Sequence, residues 1–326
     1  MTVPRACTAR APSVGAVAVL VACSGGPGAP PPDATTLDAF RADAPPPGQP
    51  HFDVGPRRGR IEVMEVRGPT GQPGQAELQA VLAAQPTVAQ FVFYARIGVM
   101  HWQAETARVG ECRLLEPTPA FCTICDGLCV ATEVCEPYPT YGHAGDLTFT
   151  GVRAGPFTLT QASGVDPTWY ASQGELGTDA FAPDATITVR APGDTVPALE
   201  VSTGAVPPLA DQLPETLELT DTTDLRVAWT PTDGDARVRL RLNSNNAGHG
   251  QPYLAVIECD SPDDGEIVID RSLVEAFPST FEMGACEGSD CPPSTLTRYR
   301  SGSADVAGAV VDLVVGSRRD FWILRR

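Results

Sequence analysis

The sequence predicts a mainly β protein, built as an antiparallel, jelly-roll-like β-sandwich with a smaller N-terminal β module and a disulfide-rich segment. Short runs in which apolar and polar residues alternate recur along the chain, and turn signals such as Pro192-Gly193-Asp194 separate them. Glycine and proline are abundant, with 31 and 32 residues, which favours many turns over long helices. Many short strands without helices between them are typical of sandwiches and jelly rolls.

The first 22 residues have the pattern of an export signal. Arg5 and Arg10 precede an apolar run at 11–22, and this run is too short to span a bilayer. It ends in the letters LVAC at 20–23, which resemble the lipobox of bacterial lipoproteins. The resemblance implies cleavage before Cys23, a diacylglycerol on its sulfur and a further acyl chain on the freed amine. An ordinary secretory signal, the competing interpretation, leaves Cys23 as a free thiol.

The residues after the cysteine predict a location and a tether. Ser24 stands where inner-membrane lipoproteins resembling this pattern carry Asp, so we expect the outer membrane, with the protein on its periplasmic face or at the cell surface. Residues 23–56 are predicted to be a disordered tether, because 24–56 contain nine Pro and five Gly. At about 3.1 Å per residue, this tether reaches up to roughly 100 Å.

The folded part is expected to begin with a small β module at 57–111. Alternation at 61–67 predicts a strand, and so do the runs at 88–97 and 104–115. Apolar residues within 76–84 have helical spacing, which predicts a short helix there, although strands surround the segment.

Residues 139–326 are predicted to form the β-sandwich domain. A helix is predicted at 271–277, begun by Asp270 and ended by Pro278. The predicted strands are 146–152, 156–161, 185–190, 198–202, 216–220, 224–230, 236–242, 253–258, 266–269 and 308–315.

Eight cysteines remain once Cys7, in the export signal, and Cys23 are set aside. An exported protein meets an oxidising compartment, so disulfides are expected. We expect Cys286–Cys291 to close a small loop and Cys259 to link to the cysteine-rich segment at 112–138. The spacing C-x2-C-x3-C-x5-C also resembles a zinc site, but the oxidising compartment favours disulfides, and no metal is assigned. The cysteines of the segment are Cys112, Cys122, Cys125, Cys129 and Cys135.

Composition excludes several functions. All 23 cationic side chains are Arg, so a P-loop lysine, a lysine Schiff base and an SxxK nucleophile are ruled out. The formal net charge of −17 repels phosphate backbones, and no nucleic-acid partner is expected.

Several segments together carry a family resemblance. They are the Cys23 start, the Pro- and Ala-rich tether, CDGLCVATEVCEPYPT at 125–140, GDLTFTGV at 145–152, VAWTPTDGDARVRLRL at 227–242 and AVIECDSPDDGEIVI at 255–269. The chain thereby resembles a group of uncharacterised, secreted, cysteine-containing lipoproteins of Gram-negative bacteria. The resemblance spans most of the chain after residue 22 and implies a cell-envelope protein without a known activity. It carries over no functional residues.

The most ligand-like residues lie in one loop. Asn245, Asn246, His249 and Tyr253 combine amides, an imidazole and a phenol suited to a sugar, although Asn and Gly also satisfy tight turns. Trp169-Tyr170 is interpreted as core packing rather than a stacking platform. The acids at 260–266 are interpreted as a turn, because proline interrupts the calcium-loop pattern.

No catalytic motif of the HExxH or GxSxG type occurs in the sequence. His101, His143 and His249 are scattered, but a triad is recognised by geometry rather than by order in the chain. The leading hypothesis is a non-enzymatic binding or structural lipoprotein of the envelope. It needs no cofactor, and its partners are the membrane, through its lipid, and envelope proteins or extracellular glycans. The alternatives are a carbohydrate-binding module on a lipid anchor and an anchored hydrolase.

Overall fold

The computed structural model describes residues 56–68, 74–88, 103–117, 121–160, 170–171, 176–177, 179–209, 213–220, 222–232, 234–244, 255–278 and 293–325. These residues form eighteen strands and one short helix, which confirms the mainly β prediction. The elements are β1 Pro56–Arg67, β2 Gln75–Val88, β3 Gln103–Val109, β4 Cys112–Pro117, β5 Gly127–Ala131, β6 Val134–Pro137, β7 Leu147–Thr150, β8 Phe157–Leu159, β9 Tyr170–Ala171, β10 Thr186–Ala191, β11 Leu199–Gly204, β12 Thr216–Leu219, β13 Leu225–Ala228, β14 Arg237–Asn243, β15 Val256–Pro262, β16 Glu266–Ile269, α1 Arg271–Ala276, β17 Ser294–Val306 and β18 Ala309–Arg325.

One large sheet of ten strands organises the fold. Its order is β3-β4-β15-β14-β17-β18-β1-β2-β9, and β12 pairs with β18 beside this path. Two neighbours of β18, β1 and β12, run parallel to it, and the other pairs are antiparallel. The long β17–β18 hairpin turns at Ala307 and Gly308, whose φ angles of 52° and 81° are those that a tight hairpin turn requires.

A four-stranded sheet, ordered β11-β10-β7-β8, packs on one part of the large sheet. Alternate residues of each strand point into the shared core, as expected for a side-chain period of two. Burying each such side chain stabilises the fold by about 1.5–3 kcal/mol. The core residues drawn from both sheets include Ile61, Val63, Leu78, Leu147, Phe149, Ile187, Val189 and Leu313. This packing of two sheets is the predicted sandwich.

A second core covers the other part of the large sheet. Here the paired strands β13 and β16, together with α1, pack against β14, β15 and the end of β18. The residues that form this core include Val227, Ile267, Leu273, Val274, Leu240, Ile257 and Phe321. Helix α1 begins after Asp270, which accepts a hydrogen bond from the backbone N of Ser272 at 2.8 Å, so the helix predicted at 271–277 is confirmed.

The helix predicted at 76–84 is wrong, because this segment lies within strand β2. Leu78 and Leu82 are fully buried against β1 and the sandwich core, and two small alanines, Ala76 and Ala80, face the same side. Because alanine is small, Ala76 and Ala80 contribute little to the apolar alternation that identifies a strand. The larger apolar residues that remain include Val81, on the opposite face, and their spacing resembles that of a helix.

Residues 57–111 share a sheet with the C-terminal strands rather than forming one of their own. Strand β1 runs parallel to β18, with Ile61 opposite Leu313, and β4 pairs with β15. The strand predicted at 104–115 is a hairpin, β3 and β4, that turns at Gly110 with a φ of 57°. Most of the strand predicted at 88–97 lies outside the described residues.

Candidate functional site

Two disulfides staple the cysteine-rich segment into a compact hairpin of strands β5 and β6. Cys122 is bonded to Cys129 and Cys125 to Cys135. Cys129 and Cys135 face each other across the β5–β6 ladder, yet each is bonded to a cysteine of the preceding loop. Both bridges therefore fasten the loop at 121–126 onto the same pair of strands. We call residues 121–138 the stapled hairpin.

Hydrogen bonds hold the loop and strands of the stapled hairpin together. The backbone N of Glu133 donates to the carbonyl of Phe121 at 2.9 Å. The Glu133 carboxylate accepts from the hydroxyl of Thr123 at 2.7 Å and from its backbone N at 3.3 Å. Phe121 and the β5–β6 turn are therefore neighbours, and the segment has little conformational freedom left.

The chain after the stapled hairpin joins the body of the fold at strand β2. The backbone N of Ala84 donates to the carbonyl of Thr140 at 2.8 Å, and that of Gly142 donates to Leu82 at 2.9 Å. The guanidinium of Arg58, at the start of β1, donates to the carbonyl of Ala84 at 2.9 Å. The C-terminal end of the hairpin is thus fixed beside the first residues of the folded part.

The stapled hairpin exposes large apolar side chains. Ile124 is 90% exposed and Phe121 is 69% exposed, whereas the cores exclude solvent from side chains of the same types. A concentration of exposed large apolar side chains in one segment is typical of interaction sites, because monomeric proteins expose few such groups together. Four of the six large apolar side chains exposed among the described residues belong to this one segment: Phe121, Ile124, Val134 and Tyr138.

The third disulfide joins Cys112 to Cys259, which face each other on the adjacent strands β4 and β15. It is the expected link between Cys259 and the cysteine-rich segment. The four cysteines for which a zinc site was the alternative interpretation form the two disulfides of the stapled hairpin. Cys286 and Cys291 lie outside the described residues, and so does Cys23. Across the described ranges, no group of three or more His, Cys, Asp or Glu side chains is placed to hold a metal ion.

An ordered network of arginines and carboxylates lies on the face of the large sheet opposite the two cores. At its centre, Asp260 is fully buried and accepts from Arg237 at 2.7 Å, from Arg239 at 2.8 Å and from the hydroxyl of Tyr299 at 2.6 Å. The Arg239 guanidinium also lies 5.2 Å from the centre of the Tyr299 ring. The Asp260 charge is therefore compensated within the sheet and is not available to calcium.

Glu258 occupies the neighbouring position of the same network. Arg113 donates to its carboxylate at 2.5 Å, and Arg241 lies 4.0 Å from its other oxygen. Burial by itself raises the pKa of Glu258, but the guanidinium groups of Arg241, Arg113 and Arg239 together outweigh burial and hold that pKa below its usual value. The carboxylate consequently stays ionised at neutral pH as part of the folded sheet.

The sequence contains a signal for this network that catalytic and metal-binding motifs do not include. Arginines alternate with apolar residues along β14, and Glu258 and Asp260 alternate along β15 in the same way. The strand register sets Arg239 opposite Asp260 and Arg241 opposite Glu258. Two adjacent strands with opposite charges at a period of two therefore predict a cross-strand ladder of ion pairs.

A second buried ion pair lies on the core side of the large sheet. Arg298, on β17, is 2% exposed, and its Nε lies 2.9 Å from the Asp263 carboxylate. The indole N–H of Trp229 donates to the same carboxylate at 2.5 Å, and Arg298 also donates to the carbonyl of Pro208 at 3.2 Å. This pair fastens three loops to the sheet, so Asp263 too has a structural partner rather than a calcium ion.

His143 is the one predicted histidine among the described residues. Its Nδ1 lies 2.7 Å from the carboxylate of Asp194, and its backbone N donates to the hydroxyl of Thr195. That hydroxyl donates back to the carbonyl of His143 at 3.1 Å, so it serves the backbone of the turn and not the imidazole. The described contacts therefore pair the imidazole of His143 with the carboxylate of Asp194, but they place no nucleophilic side chain against the imidazole.

The remaining predicted ligand residues are only partly described. Tyr170 is fully buried, and its hydroxyl donates to the carbonyl of Gly145 at 2.7 Å, as the packing interpretation requires. The residues that lie outside the described ranges are Trp169, Asn245, Asn246, His249, Tyr253 and His101.

Comparisons with known proteins give no relative from which a function could be inferred. No protein-family model matches the chain. A search of curated proteins found no match, and a search of solved structures found none. Among the described residues, no helix has the length and apolar character needed to cross a membrane.

Proposed function

We propose that the protein is an outer-membrane lipoprotein, tethered through Cys23, that acts as a non-catalytic docking protein of the cell envelope. The exposed apolar surface of the stapled hairpin carries this proposal. Phe121 and Ile124 are placed where a protein that only needed to be stable would keep polar residues. Aromatic and aliphatic side chains of this kind provide the anchors of protein–protein interfaces.

The two disulfides of the stapled hairpin support a binding role. A flexible loop that becomes ordered on binding loses conformational entropy, at about 0.5–1.5 kcal/mol for each immobilised side chain. Here Cys122–Cys129 and Cys125–Cys135 restrict the loop before any partner arrives. The apolar side chains are thereby presented in advance, and more of the interaction energy remains for affinity.

The tether supports the same role, because it lets a docking domain search for its partner. A tether of residues 23–56 leads into β1 at Pro56, close to Arg58 and to the end of the stapled hairpin. The lipid retains the protein in the envelope, since stable anchoring requires two acyl chains and the lipobox resemblance implies three. Retention and reach together raise the effective concentration of the domain near other envelope proteins.

A photo-crosslinking experiment in intact cells tests the docking role. With p-benzoyl-phenylalanine in place of Ile124 in the full chain, we expect a discrete crosslinked species of higher mass. The matched control places the same residue at Arg190, whose side chain is 61% exposed on β10, and yields no such species.

The crosslink must also depend on the neighbouring apolar side chain. We expect Phe121→Ser to reduce the crosslinked fraction from position 124 at least several-fold, because interface anchors dominate binding energy. Equal crosslinking from positions 124 and 190, or a crosslink unaffected by Phe121→Ser, contradicts the docking role.

A further inference from the structure

We infer that the partner of the stapled hairpin is a protein with an apolar face bordered by Arg or Lys side chains. The inference rests on the proposed docking role and adds the chemistry of the partner. Its basis is the charge distribution around the exposed apolar side chains.

The stapled hairpin carries acidic residues and no cation. Asp126, Glu133 and Glu136 lie within it, and the sequence has no Arg, Lys or His between Arg113 and His143. Asp126 and Glu133 are exposed, and Glu136 is half-buried. A segment that combines exposed apolar side chains with acids has the composition of an interface core with a polar rim.

The acids of the stapled hairpin can be compared with acids elsewhere on the surface, some of which are paired with arginines. On the small sheet, Glu200 pairs with Arg190 at 2.7 Å. Among the described residues, no ion pair joins Asp126, Glu133 or Glu136 to a cation. Within the described part of the chain, these negative charges close to Ile124 in sequence have no cationic partner, and a partner of opposite charge would be attracted and oriented by them.

The same charge disfavours two other occupants. A second copy would bring an identical acidic rim against the first, on chains that each carry a formal net charge of −17. A membrane surface rich in anionic lipid would repel the rim in the same way. An apolar protein face bordered by cations matches both the apolar side chains and the acids of the stapled hairpin.

Binding of three matched peptides to the full chain tests the inference. The peptides are amphipathic helices with one shared apolar face and flanking positions occupied by Arg, Gln or Glu, and fluorescence anisotropy measures their Kd. We expect the Arg peptide to bind about ten-fold more tightly than the Gln peptide, the size expected of a few rim ion pairs. This preference should shrink as salt rises.

Charge variants show whether the hairpin itself produces the preference. Asp126→Asn with Glu136→Gln should bring the Arg and Gln peptides to within about three-fold. The control, Asp179→Asn with Glu200→Gln, changes the total charge equally at exposed positions outside the stapled hairpin and should keep the ten-fold preference. Equal affinities for the Arg and Gln peptides on the unaltered protein, or equal effects of the two double variants, overturn the inference.

Apolar variants separate this inference from the docking role. Ile124→Ser, at a 90% exposed position, should weaken all three peptides. If it does while the charge variants change nothing, the docking surface stands and the cationic partner is wrong. If it changes nothing, the docking role fails as well. Concentration-dependent dimerisation through Ile124, or Ile124-dependent binding to vesicles of phosphatidylethanolamine and phosphatidylglycerol, also overturns the inference.

Discussion

Replacing Cys112 and Cys259 together by Ala lowers the free energy of unfolding by about 5 kcal/mol. The two residues are 147 positions apart, and a crosslink that closes so long a loop removes much of the entropy of the unfolded chain. Both cysteines are fully buried on neighbouring strands, so the native sheet holds them in place with or without the bond. The measurement is urea unfolding of the oxidised protein, followed through its midpoint and slope.

A matched control removes a bridge that closes a short loop. Cys122→Ala with Cys129→Ala opens a loop with a separation of only 7, for which the same entropy argument gives about 2.5 kcal/mol. The order of the two effects is the informative result. A smaller loss for the Cys112/Cys259 variant than for this control contradicts the long-range role of the buried bridge.

Asp260→Asn lowers the free energy of unfolding by about 3–5 kcal/mol, because it leaves two guanidinium groups without their shared buried counter-charge. Arg237 and Arg239 both bond to this carboxylate, and Tyr299 loses its acceptor as well. The substitution keeps the size of the side chain, so the loss reports the charge and not a cavity. Urea unfolding at pH 7 measures it.

The control for this prediction is the same substitution at an exposed ion pair. Asp235 is 88% exposed and pairs with Arg300 at 2.7 Å. Asp235→Asn should cost less than about 1 kcal/mol, as surface ion pairs do. If the two substitutions lower the free energy of unfolding by similar amounts, burial of the network has no energetic consequence and the prediction is wrong.

The sequence predicted the architecture well where the pattern was local. The strands at 236–242 and 266–269 and the helix at 271–277 alternate or are capped in ways that short-range physics explains. The Cys259 link to the cysteine-rich segment followed from the odd number of cysteines on each side. In each case the prediction depended on residues close together in the sequence or on the number of cysteines.

Long-range pairing could not be predicted in the same way. Nothing in 61–67 indicates that β1 runs parallel to β18, some 250 residues later in the chain, so residues 57–111 were expected to form a module of their own. The alternation of apolar and polar residues specifies which side chains of a strand share a face. It does not specify the neighbouring strand, because many strands with the same alternation could pair with the same sheet edge. Tertiary packing decides among them.

The candidate site shows a second limit of the sequence. Ile124 and Phe121 look like core residues in a one-dimensional pattern, and only the structure shows that both are exposed on the stapled hairpin. The Arg–Asp ladder was readable in principle, because Arg237, Arg239 and Asp260 keep a period of two on adjacent strands. Motifs for metal ligands and catalysis do not include paired charges on neighbouring strands, so they did not predict this ladder.

Mass spectrometry of the N-terminal peptide of the full chain, purified from bacterial membranes, tests the central claim most directly. The proposed export and lipid attachment account for the cysteine pairs, the predicted tether and the proposed docking role together. We expect a polypeptide that begins at Cys23 and carries the mass of a diacylglycerol with a further acyl chain, while Cys23→Ala abolishes the lipid mass. A chain that begins at another residue, or an unmodified Cys23, contradicts the account.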